Sequence, residues 1–151
     1  MGVRTRHATA DLRMRRCAAE FVRRVSARSR LPLDYSVDSL GVVDFIVDEM
    51  RGEGREPADA GRVLFELGAY TGEVLVRRVG AVWVEFDPEQ RELFGRPVGV
   101  RTPDGRLWNP LGKVVRRFET GGRESVRALY REARGLPRPS PPRRPGPVRG
   151  R

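Results

Sequence analysis

Residues 58–79 read ADAGRVLFELGAYTGEVLVRRV, and the spacing of their apolar side chains decides what kind of fold the chain can build. Placed at about 100° per residue, Ala60, Val63, Leu64, Leu67, Thr71, Val74 and Leu75 fall on one broad face. Phe65, Ala69 and Val76 lie opposite, with Gly61, Gly68 and Gly72 between the two faces. Only Arg62, Glu66, Tyr70, Glu73 and Arg77 make a polar stripe, and it is narrow. A helix apolar on nearly all sides belongs in the middle of a domain, and its glycines let neighbouring chain come close. Pro57 suits its first position and Gly80 its stop.

Working outward toward the N-terminus, Ser36 is an N-cap for a helix over about residues 37–51, with Leu40, Val43, Val47 and Met50 on its core face and Phe45 and Ile46 in support. Leu31-Pro32 separates it from a basic amphipathic helix spanning about residues 10–30. That helix turns Met14, Cys17, Ala18, Phe21, Val22 and Val25 one way and sets Arg13, Arg16, Arg23 and Arg24 largely off the stripe. The basic helix reads either as a phosphate- or membrane-surface contact or as docked on the core, and residues 34–59, with eight acids against two arginines, are the docking partner expected. Residues 1–9 show no periodicity and are expected to be disordered.

Past Gly80 the period becomes two, which reads as a strand over residues 81–86. Residues 87–96 read as a polar loop, and 97–102 and 106–108 as two further strands joined by Pro103-Asp104-Gly105. Asn109-Pro110 opens a helix through Leu111, Val114, Val115 and Phe118, and a last helix runs over about residues 123–134. Residues 135–151 are Pro- and Arg-rich with no apolar face, which predicts a disordered tail. The expected fold is α+β in the order ααα-βββ-αα, a single domain over residues 31–134.

Composition removes several classes of function. Cys17 is the only cysteine and His7 the only histidine, which argues against disulfides, Cys/His zinc sites and His-based triads. No metal and no cofactor is expected. No apolar run is long enough for a membrane span and no secretory leader is recognisable, so a cytoplasmic location is expected. The net charge of +10 is unevenly placed: residues 1–30 carry +7, residues 134–151 carry +6 and residues 31–133 carry −3. High basicity therefore belongs to the ends, not to the domain.

Residues 109–115, NPLGKVV, are not a phosphate-binding loop: Leu107 stands where the first glycine belongs, and Val114 where Ser or Thr belongs. Lys113 is nonetheless the only lysine among thirty basic residues, a compact charge in a chain that otherwise uses arginine. Glu73, at the polar stripe of the central helix, is expected to approach Lys113 as a partly buried pair, since a short meander returns the chain to its start. No acid–base carboxylate pair stands out; Asp44, Asp48 and Glu49 read as a solvated acidic face or as the docking partner of the basic helix. Trp83 and Trp108 read as core packing, or as a pocket if they share an exposed face with Tyr70. PRPSPP and PPRRP in the tail have the spacing of proline-rich ligands.

LGAYTGEVLVRRVGAVWV (67–84), VGVRTPDGRLWNPLGKVVRRFETGG (98–122) and the final ALY (128–130) together resemble a family of small bacterial, actinobacterial-like domains of unknown function. The likeness covers roughly residues 34–131. It implies the α+β fold and a candidate polar site of Tyr70, Glu73, Trp83, Asn109 and Lys113, and it implies no known activity. The function expected is a non-enzymatic protein-interaction or immunity-like domain with an unidentified protein partner. The alternative is non-specific nucleic-acid binding through Arg13, Arg16, Arg23, Arg24, Arg143 and Arg144.

Overall fold

The structure, a computed structural model, describes residues 2–135. Its elements are α1 (Gly2–Arg28), α2 (Ser39–Gly52), α3 (Pro57–Val79), β1 (Val82–Glu85), α4 (Pro88–Phe94), β2 (Val98–Arg101), β3 (Leu107–Trp108), α5 (Pro110–Thr120) and α6 (Val126–Ala133). The class is α+β as expected, but the order is not ααα-βββ-αα, because α4 interrupts the strands. Residues 87–96 are thus a helix and not a polar loop. Asp87 Oδ1 accepts from Gln90 N (2.8 Å), the Gln90 side chain accepts from Asp87 N (3.0 Å), and Gly95 stops the helix at φ 67°. This reciprocal cap stabilises a helix of 7 residues, too short to show a period.

The sheet is an antiparallel meander in the order β1-β2-β3, with Trp83 opposite Val100 and Val100 opposite Trp108. Its turn is closed by Thr102 N donating to Arg106 O (3.0 Å), with Gly105 at φ 86°.

As its periodicity predicts, α3 lies at the centre, packed against α1 on one side and α5 on the other, and it also touches α2, α6 and the sheet. Leu67, Tyr70, Val74 and Leu75 are wholly buried. Two of its glycines are required by close approach: a Cβ at Gly68 would meet Leu111 Cα at 2.8 Å, and one at Gly72 would overlap the Trp83 ring. Gly61, in contrast, has open space around its Cα.

Two expectations about the N-terminus are corrected. Residues 2–9 are not disordered but the first turns of α1, which runs on to Arg28. They are ordered by tertiary contact: Ala10 is buried, and Glu85 N on β1 donates to His7 Nδ1 (2.9 Å). The apolar face of α1 does dock on the core, burying Met14, Ala18 and Phe21. Its support is α3 and β1, not the acidic helix, and Arg24 pairs with Glu66 of α3.

The carboxylates of α2, and Asp38 just before it, serve the other end of the chain. Asp44 accepts from Val126 N (3.1 Å), Asp48 from Arg117 of α5 (2.7 Å), and Asp38 from Arg127 (2.8 Å). The expected cap, Ser36, accepts from Ser39 N (3.2 Å), so it closes the turn leading into α2. The proline-rich motifs, with Arg143 and Arg144, lie outside the described residues.

Candidate functional site

The five polar residues singled out by sequence do not assemble into one site. They fall into two groups, and each is closed by partners within the chain. Glu73 and Trp83 meet: the indole Nε1–H donates to Glu73 Oε1 at 3.2 Å, with both residues buried. Gly72, adjacent to Glu73, leaves the room that the ring occupies. Burial pushes the Glu73 carboxyl above its ordinary value, against the lowering effect of Trp83 and of Arg77, whose Nε lies 3.7 Å away.

Arg77 also stacks over Tyr35, 3.6 Å from the ring centroid, and Tyr35 stacks on Tyr70 with centroids 4.9 Å apart. The Tyr70 hydroxyl accepts from Tyr35 N (2.8 Å) and lies 2.6 Å from Ser39 Oγ. Since Ser39 donates its own proton to Ser36 O (2.6 Å), Tyr70 is the donor to Ser39. Burial raises the Tyr70 hydroxyl pKa, which keeps it a donor. Tyr35, at φ 60°, is in the left-handed region, and Arg78 Nε binds its carbonyl at 3.1 Å. These bonds fasten the α1–α2 connection to the end of α3, and the local strain at Tyr35 is held by them.

Asn109 and Lys113 form the second group. Asn109 is the N-cap of α5, as expected, accepting from Gly112 N (3.0 Å) while its Nδ2 donates to Phe94 O (3.0 Å). Lys113 pairs with Glu124, not with Glu73. The expected Glu73–Lys113 pair fails because α5 crosses α3 through the Gly68–Leu111 contact, and Glu73 lies on the side occupied by Trp83. Trp83 and Trp108 share no open pocket with Tyr70: Trp83 and Tyr70 are buried, and Trp108 Nε1 donates to Thr102 Oγ1 (3.0 Å).

The alternative arginines divide as well. Arg13, Arg16 and Arg24 line one groove together with Arg62, Glu20 and Glu66. Arg24 is held by Glu66, Arg13 and Arg16 are exposed, and Arg23 does not line that groove. Arg62 Nε lies 3.3 Å from Glu66 Oε1 but off the line that a hydrogen bond needs, so that oxygen accepts none. Cys17, on the same groove, has its thiol pKa raised by burial and then by Glu66, which makes it a poor nucleophile.

The open feature that sequence reasoning passed over is a groove of about 390 Å³ between the C-terminal half of α1 and α2. Its apolar lining is Phe21, Val25, Phe45, Ile46, Met50 and Val63, of which Phe21 and Met50 are buried. Phe45 was expected to support the core, yet it is 51% exposed. The signal was present: Val42, Phe45 and Ile46 widen the apolar arc of this helix beyond what one core contact consumes.

Among the described residues no helix is long and apolar enough to cross a membrane. No group of three or more His, Cys, Asp or Glu residues among them could hold a metal ion. No protein-family model, curated protein or solved structure matches the chain.

Proposed function

We propose that this chain is a protein-interaction domain, immunity-like in character and cytoplasmic, that acts by occupying a partner and not by turning over a substrate. One observation carries this reading. Glu73 closes on Trp83 and Tyr70 on Ser39, while the apolar groove between α1 and α2 stays open, with an exposed Phe45 beside it. An exposed aromatic beside an apolar trough with a charged rim is what a helical or looped partner anchors on. The resemblance to small bacterial domains fits this reading and adds no activity to it. The test is affinity capture with the full chain and with Phe45→Asp. A partner retained by the first and lost by the second supports the reading. Turnover of an ester, phosphate or nucleotide abolished by Lys113→Met would overturn it.

A second reading, sequence-independent nucleic-acid binding, is favoured by Arg13 and Arg16, which stand exposed beside Arg62 on one groove. Deleting residues 1–30 is not a fair test, since Met14, Ala18 and Phe21 belong to the core. Arg13→Glu with Arg16→Glu in the full chain is the better probe. Binding to duplex DNA should then weaken and its salt dependence flatten by roughly one unit of slope for each lost phosphate contact. An unchanged slope would place any binding elsewhere.

A further inference from the structure

The groove between α1 and α2 carries opposite charge on its two banks. Arg24 and Arg28 stand on the α1 side, and Glu49, Glu53 and Arg55 on the α2 side, which is net negative by one charge. Arg24 is committed to Glu66, and Glu53 to Arg55 at 2.9 Å. Arg28 and Glu49 are exposed and have no ion-pair partner among the described residues. We propose that this groove pairs with the same groove of a second copy of the chain, an inference that rests on the interaction reading above and names its partner.

The argument is one of symmetry and charge. A two-fold axis lying along the groove sets the α1 bank of one copy against the α2 bank of the other, so Arg28 faces Glu49 twice over. An axis across the groove would set Arg28 against Arg28 and Glu49 against Glu49, which like-charge repulsion disfavours. The charge pattern thus selects one closed arrangement. Phe45 stands on the α2 wall, 51% exposed, and in that arrangement it reaches over Val25 and Val63 of the opposing trough. The trough, at about 390 Å³, has the volume to admit an aromatic side chain. An unrelated partner would have to present an apolar ridge with an acidic and a basic flank in the matching order; a second copy supplies both by symmetry. A buried aromatic surrounded by a polar rim is the usual form of an energetic anchor.

Sedimentation velocity of the full chain over a range of concentrations tests this. The expected result is a reversible shift from one to two chains. Phe45→Asp should weaken the association by at least about tenfold, and Glu49→Arg should weaken it as well. Arg28→Glu combined with Glu49→Arg should restore it, because the two banks then exchange sign together. All three positions are exposed, so each variant should keep the wild-type thermal melt. A single-chain mass at every concentration, or association indifferent to these changes, overturns the proposal. Affinity capture then separates the two readings. With a single-chain mass throughout, capture of a different protein that is lost with Phe45→Asp would sink self-pairing alone, whereas capture that ignores Phe45 would sink the groove reading with it.

Discussion

The seam between α1 and α3 and the seam joining α2 to α5 and α6 both bury ion pairs, but they bury opposite members. At the first seam the acid is inside: the Glu66 and Glu73 side chains are 6% and 3% exposed, while their arginines Arg24 and Arg77 are 39% and 47% exposed. At the second the base lies deepest: Arg117 is 10% exposed, against 15% for Asp44 and 48% for Asp48. The difference has chemical consequences. A buried carboxylate can shed its desolvation cost by taking up a proton, whereas a guanidinium cannot lose one under any ordinary condition. At the first seam, burial raises the Glu73 carboxyl pKa and so makes its protonated form easier to reach. At the second, hydrogen bonding to Asp48 and the nearby Asp44 charge hold the Arg117 pKa above its usual value.

The sharpest way to break the first seam is steric. Gly72→Ala places a methyl group in the Trp83 ring, and the ring is hemmed in by Glu73 and the α3 backbone. A loss of about 3 kcal/mol, at the upper end for overpacking, is expected in denaturant melts. A loss under about 1 kcal/mol would show that Trp83 can move aside. The second seam is tested by Arg117→Met. Removing one partner of a buried pair costs roughly 3–5 kcal/mol, but here Asp48 is left half in water and Asp44 keeps Ser125 and Val126 as donors. About 2 kcal/mol is expected, and more than Asp48→Asn costs.

Smaller effects separate the seams by pH. The folded pKa of Glu73 is raised, so its contribution is most favourable below the unfolded value and declines as pH rises toward the folded one. Glu73→Gln keeps an acceptor for Trp83 Nε1 and removes that decline. Relative to wild type it should gain stability as pH rises above the ordinary glutamate value of 4.5, and the gain should level off once the carboxyl is ionised in both states. A relative loss over the same span would mean that the carboxylate is needed in its ionised form. Glu73→Gln and Lys113→Met should also act additively in a double-mutant cycle, since they share no partner. Coupling above about 0.5 kcal/mol would contradict the fold described.

The smallest effect is at Asp104, in the exposed β2–β3 turn. The Thr102 hydroxyl (2.5 Å), Arg106 N (3.1 Å) and Arg106 Nε (2.6 Å) all donate to its carboxylate and hold its pKa at about 2. This lowered group adds stability that is present above its ordinary value of 3.8 and is lost as pH falls toward about 2. A carboxyl titration by NMR should find the midpoint near that value, and a midpoint in the ordinary range would mean that the turn is open.

Much of this architecture is legible one residue at a time. The apolar period places α3 at the centre, Pro57 and Gly80 bound it, and Asn109-Pro110 opens α5, because periodicity, caps and turn residues act over a few neighbours. The α4 helix was written in Asp87 and Gln90 but not in any period. Which face of α3 meets which helix is a different kind of fact. Nothing local says that Glu73 faces Trp83, that Lys113 finds Glu124, or that the acids of α2 serve Arg117 in place of α1. Those pairings follow from the fit of Gly68 to Leu111 and of Gly72 to Trp83, which fixes how the helices cross. Composition set which charges the chain carries. Only close packing decided which of them met, and left the groove between α1 and α2 open, because shape complementarity depends on atoms far apart in sequence.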